Sequence, residues 1–561
     1  MLSFDGIIFN GINVENKEEP MPVLPNELAD KVVVQGSNIF FDKKIRFNAI
    51  FNTWLYLVRS ERFRFSLEER TLEEVANIRN ESDSGRVHRL DGSLKILTEM
   101  RKIIGDATYY NASDIHFLVH PRYTNIHFRI NGDLKHYIRI THEAGVDLIR
   151  SAIQGLSTVR SRSYVPLEFQ DAQISGEMIS EFGLDSIRII RGPSYPEEQG
   201  GQFMIMRLQF FSDFERNRHG DMPILKYPDA PTLPSKLRSM GYTPLQEVTL
   251  KRIMQNKAGI VVICGPTGSG KTTTLFQCLQ MMGKEFPQDR LITIEDPVEN
   301  VMPWALQMAI SNTGSSAEER GVQFSMRMQS ILRMDPDLVL LGEIRNHEVA
   351  NVAFEAAKTG HQVWATVHAN DPFSVVSRIE DLNPASLSLR RICDHTFLRG
   401  LVAQRLVPTL CPDCSVPYMD YANAWLDKRM ITALHSWCGA SLQNARLRVV
   451  SADSEEPCPT CGGDGTTGRI AIAEIVSTDA ELMKDFVEHG ISEARLNYRK
   501  RNTTKDELPK DNSLMGNALL YFIVGKLDPR DIQVGLGEVI PLHSIGMGRK
   551  PRESDLTDIY T

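Results

Sequence analysis

Two hydrophobic rhythms run along this chain, and the change from one to the other falls near residue 241. Beyond that point, short β-branched runs at 260–263, 291–294, 338–341 and 363–367 alternate with stretches of helical period. Runs that are apolar at every position predict strands buried on both faces, and their alternation with helices predicts a parallel sheet covered on both sides. One helix, over 348–357, stops ahead of Gly360, a residue suited to a helix C-terminus. Polar residues gather at the strand ends, where ligands bind in such sheets.

Earlier in the chain the period is two. Ile126, Phe128 and Ile130 alternate with His127 and Arg129, and Asn131-Gly132 then supplies a hairpin turn. A second strand pair is expected at 186–191 and 202–208. Pro223, Pro228, Pro231 and Pro234 punctuate a charged stretch that neither continues a helix nor joins a central strand, so it reads as a linker. Residues 1–90 mix short apolar runs with charged stretches of helical character, such as SLEERTLEEVANIRNE, and carry no chemical motif. The expected organisation is an N-terminal docking region at 1–90, an α+β domain at 91–212, a linker at 213–240, an α/β domain at 241–540 and a tail at 541–561.

Composition narrows the class. At 561 residues the chain exceeds what one core holds, so several domains are expected. The net charge of -8 argues against a broad nucleic-acid or membrane surface, and no apolar run approaches the length of a membrane span. The N-terminus lacks the basic start and apolar run of an export signal, so the expectation is a cytoplasmic protein.

The strongest chemistry is GPTGSGKT, comprising Gly265, Pro266, Thr267, Gly268, Ser269, Gly270, Lys271 and Thr272, followed by Thr273. It lies directly after a predicted strand and before a predicted helix, the context a phosphate-binding P-loop requires. Its glycines let backbone N–H groups face phosphate, Lys271 can reach the β- and γ-phosphates, and the Thr272 hydroxyl can ligate magnesium. Two carboxylates end downstream strands: Glu295 in ITIEDPVE and Glu343 in LVLLGE. A carboxylate in the latter place can orient and polarise the attacking water. His361 and His368 flank one strand in TGHQVWATVHAND, where structural and catalytic readings both stay open. Asp335 and Asp337 read as capping and turn residues.

Four of eight cysteines form two Cys-x-x-Cys pairs, Cys411 with Cys414 and Cys458 with Cys461. Two such pairs predict a tetrahedral zinc site, although the intervening segment is longer than in a zinc ribbon and redox or unpaired thiols are the rival readings. Cys264, Cys278 and Cys393 read as apolar packers and Cys438 as a bystander.

GPTGSGKTTTLF, ITIEDPVE, LRMDPDLVLLGEIR and TGHQVWATVHAND resemble, in order, the Walker A, Asp-box, Walker B and His-box motifs of secretion ATPases. These are the motors of type II secretion, type IV pilus assembly and type IV secretion. The resemblance extends upstream through NASDIHF, FRINGDL and SIRIIRGPS and downstream through QRLVPTLCPDC and GRIAIAEI, covering roughly residues 91–540. It implies an α/β fold with a RecA-like P-loop ATPase domain built on a parallel sheet, a preceding PAS-like α+β domain, and a small zinc-binding insertion at 408–465. It further implies Glu343 as catalytic carboxylate, Glu295 positioning metal and water, His361 and His368 in nucleotide-linked contacts, and Arg188 and Arg207 neutralising phosphate charge. Two positions depart from the family pattern: Gln202 stands where Glu is usual, and Asn346 where Asp is usual.

The cofactors implied are ATP, Mg2+ and Zn2+. The partners implied are five further copies in a hexamer and an inner-membrane platform protein, through which pilin or pseudopilin subunits would be assembled. Membrane association would then be indirect. A nucleic-acid or DNA-transfer motor is the alternative, disfavoured by the acidic charge and the lack of any aromatic-basic strip.

Overall fold

The computed structural model describes residues 28, 31–35, 38–46, 48, 51–52, 54–55, 58, 65–72, 74–75, 93–160, 163–211, 223–310, 327, 329–451, 456–501 and 510–542. Most of the expected docking region, part of the linker and nearly all of the tail lie outside them. The described residues fall into two compact units, one within Met1–Arg89 and Ile138–Thr141, the other within Leu90–Tyr137 and His142–Thr561.

The first unit holds a small sheet of β1 (Val32–Gln35), β2 (Asn38–Asp42) and β3 (Ser66–Arg70), with β1 antiparallel and β3 parallel to β2. Ile39, Phe41, Phe51 and Trp54 form its core. β3 corrects the helical expectation for SLEER, the start of SLEERTLEEVANIRNE, while Leu72, Glu74 and Val75 beyond it are helical. Its residues are mostly exposed, so the segment is an edge strand, where cross-strand hydrogen bonding overrides the helix preference of Glu and charge is tolerated.

Apart from Ile138–Thr141 at the end of β6, the second unit holds a seven-stranded sheet of β4 (Asp114–Val119), β5 (Tyr123–Ile130), β6 (Asp133–Thr141), β7 (Val159–Arg160), β8 (Gln170–Ser175), β9 (Leu184–Pro193) and β10 (Gln202–Phe210), in the order β6-β5-β4-β10-β9-β8-β7. The hairpin turn falls at Asn131-Gly132, both with positive φ, 54° and 89°, as a two-residue turn matched to strand twist demands. The helices Ser93–Tyr109 and His142–Ser151 accompany this sheet, giving an α+β layer.

A second seven-stranded sheet carries the α/β part. Its strands are β11 (Gly259–Cys264), β12 (Leu291–Glu295), β13 (Leu306–Ala309), β14 (Leu338–Leu341), β15 (Gln362–Val367), β16 (Leu398–Leu410) and β19 (Thr466–Ser477), ordered β13-β12-β14-β15-β11-β16-β19. All pair in parallel except β19, which runs antiparallel to β16, and the short strands β17 (Val416–Pro417) and β18 (Arg446–Leu447) pair antiparallel in a separate ribbon. Alternate residues of β11 enter opposite cores: Ile260 and Val262 lie with Phe354 and Val363, Val261 and Ile263 with Leu275, Leu279 and Trp364. Burial on both faces is why these strands read as unbroken apolar runs. The helix His347–Lys358 ends as expected, with Gly360 left-handed at φ 98°.

The two layers meet through buried charge. Arg129 of β5 donates to both Asp337 oxygens, at 3.1 and 2.8 Å, and pairs with Asp335. His116 Nε2 lies 3.1 Å from Asp335, and Arg290 Nη2 2.9 Å from His127 Nδ1. Asp335 does form a turn, with φ 53°, but ion pairing at this seam is its larger role, beyond the capping expected from sequence.

Candidate nucleotide site and cysteine cluster

Because β11, β12, β14 and β15 are parallel, whatever follows their C-terminal ends converges on one edge of the sheet. The 265–270 loop follows β11 and leads into the helix Lys271–Glu285, whose N-cap Gly270 has φ 83°. Gly268 is likewise left-handed, at φ 75°, a conformation that glycine adopts without steric cost. Thr267, Gly268, Lys271 and Thr272 line a cavity of about 540 Å3 together with Glu295, Asp296, Glu299, Glu343, Arg345 and His368. Thr273 is exposed and outside the cavity wall.

Lys271, Glu295 and Glu343 are each held by hydrogen bonds. Lys271 Nζ donates to the carbonyls of Gly265 and Pro266, both at 3.0 Å, and burial draws its pKa below the ordinary lysine value, with Glu343 opposing. Glu295 ends β12 and is buried. Burial raises its pKa, while the Thr293 hydroxyl (2.6 Å) and Gln307 Nε2 (3.0 Å), both donating to Oε1, work the other way. Glu343 accepts from Arg345 Nε at 2.8 Å on Oε2, and its Oε1 faces His368 Nε2 at 3.1 Å. A triphosphate with a hard cation would meet the Lys271 ammonium, threonine hydroxyls including that of Thr272, and several carboxylates on this edge, the donor set such a ligand requires.

His361 is not brought there. It precedes β15, its carbonyl accepts from Gly259 N at 3.1 Å at the start of β11, and its Nδ1 lies 3.0 Å from the Ala356 carbonyl. The length of β15 puts it roughly 20 Å from His368. Its ring finishes a helix end instead.

Arg188 and Arg207 are not brought there either. They are cross-strand partners on β9 and β10, which places them on one face of the sheet. That face lines a different cavity, of about 550 Å3, with Asp171 and Arg333. Arg207 pairs there with Asp114 (2.9 Å) and Asp335 (3.4 Å), at the opposite edge of the parallel sheet from the P-loop.

The four cysteines converge. Cys411 Sγ lies 3.9 Å from Cys458 Sγ, Cys414 Sγ lies 3.7 Å from Cys461 Sγ, and all four sulfurs fall within 4.8 Å of one another. Zn–S bonds of about 2.3 Å in a tetrahedron require S···S edges of about 3.8 Å, so the cluster fits zinc. The β16–β19 pairing explains the long spacing. It reaches its tip at Leu410 opposite Thr466, and the helices Tyr418–Trp425 and Lys428–Cys438 occupy the intervening insertion. Gly465 N donates to Cys461 Sγ at 3.2 Å. Burial pushes this thiol up, but the N–H groups of Gly465 and Gly463 together with the Cys414 and Cys458 thiols outweigh it and bring it down to about 7. Cys264, Cys278 and Cys393 are buried packers, and Cys438 joins them in the core rather than standing aside.

Residues 219–517, more than half of the chain, match the sequence model of the family described as "Type II/IV secretion system protein". The chain belongs to that family. It is 28% identical over 392 residues to the putative type II secretion system protein E of Escherichia coli K12, covering 70% of this chain and 68% of that protein. To the type II secretion system ATPase E of Vibrio cholerae it is 27% identical over 409 residues, covering 73% and 70%. To the type IV pilus assembly ATPase PilB of Thermus thermophilus it is 28% identical over 390 residues, covering 69% of this chain and 38% of that longer protein. The reading as a secretion- or pilus-assembly-type ATPase stands on this membership.

The two departures from the pattern of this secretion family have local explanations. Asn346 caps the helix His347–Lys358, its side chain accepting from Val349 N at 3.0 Å, as an aspartate would. Gln202 is buried and accepts from Arg191 (2.9 Å) and Tyr164 (2.8 Å), so it serves the interior of its own sheet. Sequence reasoning missed Arg345, Gln307 and Gln404. The last is a polar residue inside the apolar run LVAQRLV and Arg345 closes the motif LRMDPDLVLLGEIR, both detectable signals, whereas nothing local marks Gln307.

Proposed function

We propose that this protein binds ATP and magnesium in the cavity at the carboxyl edge of its parallel sheet and hydrolyses the γ-phosphate. In a ring of six copies, the resulting domain rotations drive assembly of pilin or pseudopilin subunits through an inner-membrane platform protein. The observation that carries the reading is the placement of Glu343 and Lys271 on the wall of one cavity, at the carboxyl ends of β14 and β11, the parallel strands on either side of β15. In this reading the protein works in the cytoplasm and residues 1–90 dock it to partners. Among the described residues no helix is long and apolar enough to cross a membrane.

The roles follow from the chemistry of each group. Lys271 exchanges the two loop carbonyls for β- and γ-phosphate oxygens, and the N–H groups of 265–272 complete the cradle. Thr272 and Glu295 would hold magnesium, which when bound would neutralise phosphate charge. Glu343 orients the attacking water and polarises it, with His368 and Arg345 fixing its two oxygens. Cys411, Cys414, Cys458 and Cys461 hold a structural zinc that secures the insertion.

The test is Glu343→Gln, nearly isosteric and without the charge. Expected is ATP affinity close to wild type with hydrolysis reduced about a hundredfold or more. Hydrolysis within about threefold of wild type overturns the assignment. For the motor assignment, stimulation by acidic lipid or by a platform protein is expected, and stimulation by DNA instead would overturn it.

A further inference from the structure

Under the phosphate loop lies a buried polar cluster that none of these roles uses. Gln404 of β16 donates from Nε2 to the Ser269 carbonyl at 2.7 Å. Its Oε1 accepts from the Tyr242 hydroxyl and the Thr274 hydroxyl, each at 2.7 Å. Tyr242, Ser269, Thr274 and Gln404 are each 3% exposed or less. An amide inside an apolar sheet is costly unless every contact is made, and here both ends are engaged.

The contact to Ser269 has a directional consequence. In a trans peptide the carbonyl and the following N–H point in opposite directions, so holding the Ser269 carbonyl against Gln404 turns the Gly270 N–H toward the loop interior. The fit is close. A Cβ at Gly270 would lie 2.8 Å from Gln404 Nε2, and one at Gly265 would lie 2.5 Å from the Gln404 carbonyl. Tyr242, in turn, is the last residue before the cap of the helix Pro244–Met254, at the end of the segment that leads in from the first sheet. Its carbonyl accepts from Arg238 at 3.0 Å, and the carbonyl of its neighbour Gly241 accepts from the Tyr521 hydroxyl at 2.9 Å.

We propose that Gln404 is a positioning residue for the phosphate loop, and that Tyr242 ties the loop to the interdomain segment so that the placement of that segment adjusts nucleotide affinity. This rests on the reading of 265–272 as the site of ATP phosphates. Losing an N–H that contacts phosphate equally in ground and transition states raises KM without lowering kcat. Strain arriving along the segment at Tyr242 reaches the loop through the shared Gln404 amide and through the Thr274 hydroxyl, 3.3 Å from that of Tyr242.

The experiment uses the full-length protein with Gln404→Met, which keeps the volume and removes both polar ends, and Tyr242→Phe, which removes only the hydroxyl. Readouts are ATP affinity, steady-state ATPase kinetics, hydrogen exchange of the 265–274 segment and thermal unfolding. Expected for Gln404→Met is a rise of about tenfold in Kd and KM with kcat within about twofold. Expected for Tyr242→Phe is a rise of about threefold in both and faster exchange in the loop. A merely structural role would lower the unfolding temperature and leave Kd unmoved. Wild-type Kd and KM in folded Gln404→Met, or unchanged Kd and exchange in Tyr242→Phe should the other variant not fold, overturns the proposal. Lys271→Ala separates the two layers: if it binds ATP like wild type, the phosphate-loop reading itself fails.

Discussion

His368 Nε2 stands 3.1 Å from Glu343 Oε1, across the ends of two neighbouring parallel strands, while Arg345 holds the other oxygen at 2.8 Å. The carboxylate is therefore aimed by two partners rather than left to rotate in solvent. Removing one partner should disturb its aim without disturbing the phosphate cradle. His368→Ala is expected to lower kcat about tenfold with KM within about threefold, measured by steady-state ATP hydrolysis. A matched rise in KM with kcat unchanged would assign His368 to binding instead.

Acid should weaken the seam between the two sheets. Burial pushes His116 from 6.5 to about 4, with Arg290 and Arg129 adding to that push and Asp335 opposing it. The unfolded chain thus takes up a proton near pH 6.5 that the folded chain refuses until about pH 4, so stability falls as pH drops through that window. Burial tends to raise Asp335, but the hydrogen bond from His116 and the Arg129 charge outweigh it and hold it below 3.8. Its contribution is present above that value and lost below it, so both groups act in the same direction. Between pH 7.5 and pH 5 His116 alone should cost about 2 kcal/mol. Thermal unfolding at the two pH values checks this, with His116→Asn expected to show the shallower loss. An equal loss in both proteins removes His116 from the explanation.

The cysteine cluster predicts one zinc per chain. Metal analysis of the purified protein should find it, and Cys458→Ser should lose it. Because the two cysteine pairs close a 411–465 insertion whose Tyr418 and Trp437 are buried in the main core, metal loss should lower the unfolding temperature rather than alter the phosphate site. Equal zinc in both proteins would exclude a four-cysteine site.

Local pattern was enough to determine the strands at 338–341 and its neighbours, the Asn131-Gly132 turn, the phosphate loop and the two cysteine pairs. These depend on side-chain period, on backbone freedom at glycine and on short ligand spacing, all of which are written within a few residues. Only the tertiary structure decided which polar residues meet. His361 and His368 look equivalent in sequence, yet strand direction sends them to opposite edges of the sheet. Arg188 and Arg207 share a face, but the packing of the β4–β10 sheet takes that face to Asp335 and Arg333 rather than to Lys271. Asp335 and Asp337 read as turn residues because their partner Arg129 lies some two hundred positions away. Likewise SLEER becomes a strand only because β2 offers it an edge. Partners far apart in the chain leave no local trace, since what joins them is the order of strands in a sheet and the burial that makes an unpaired charge too costly to keep.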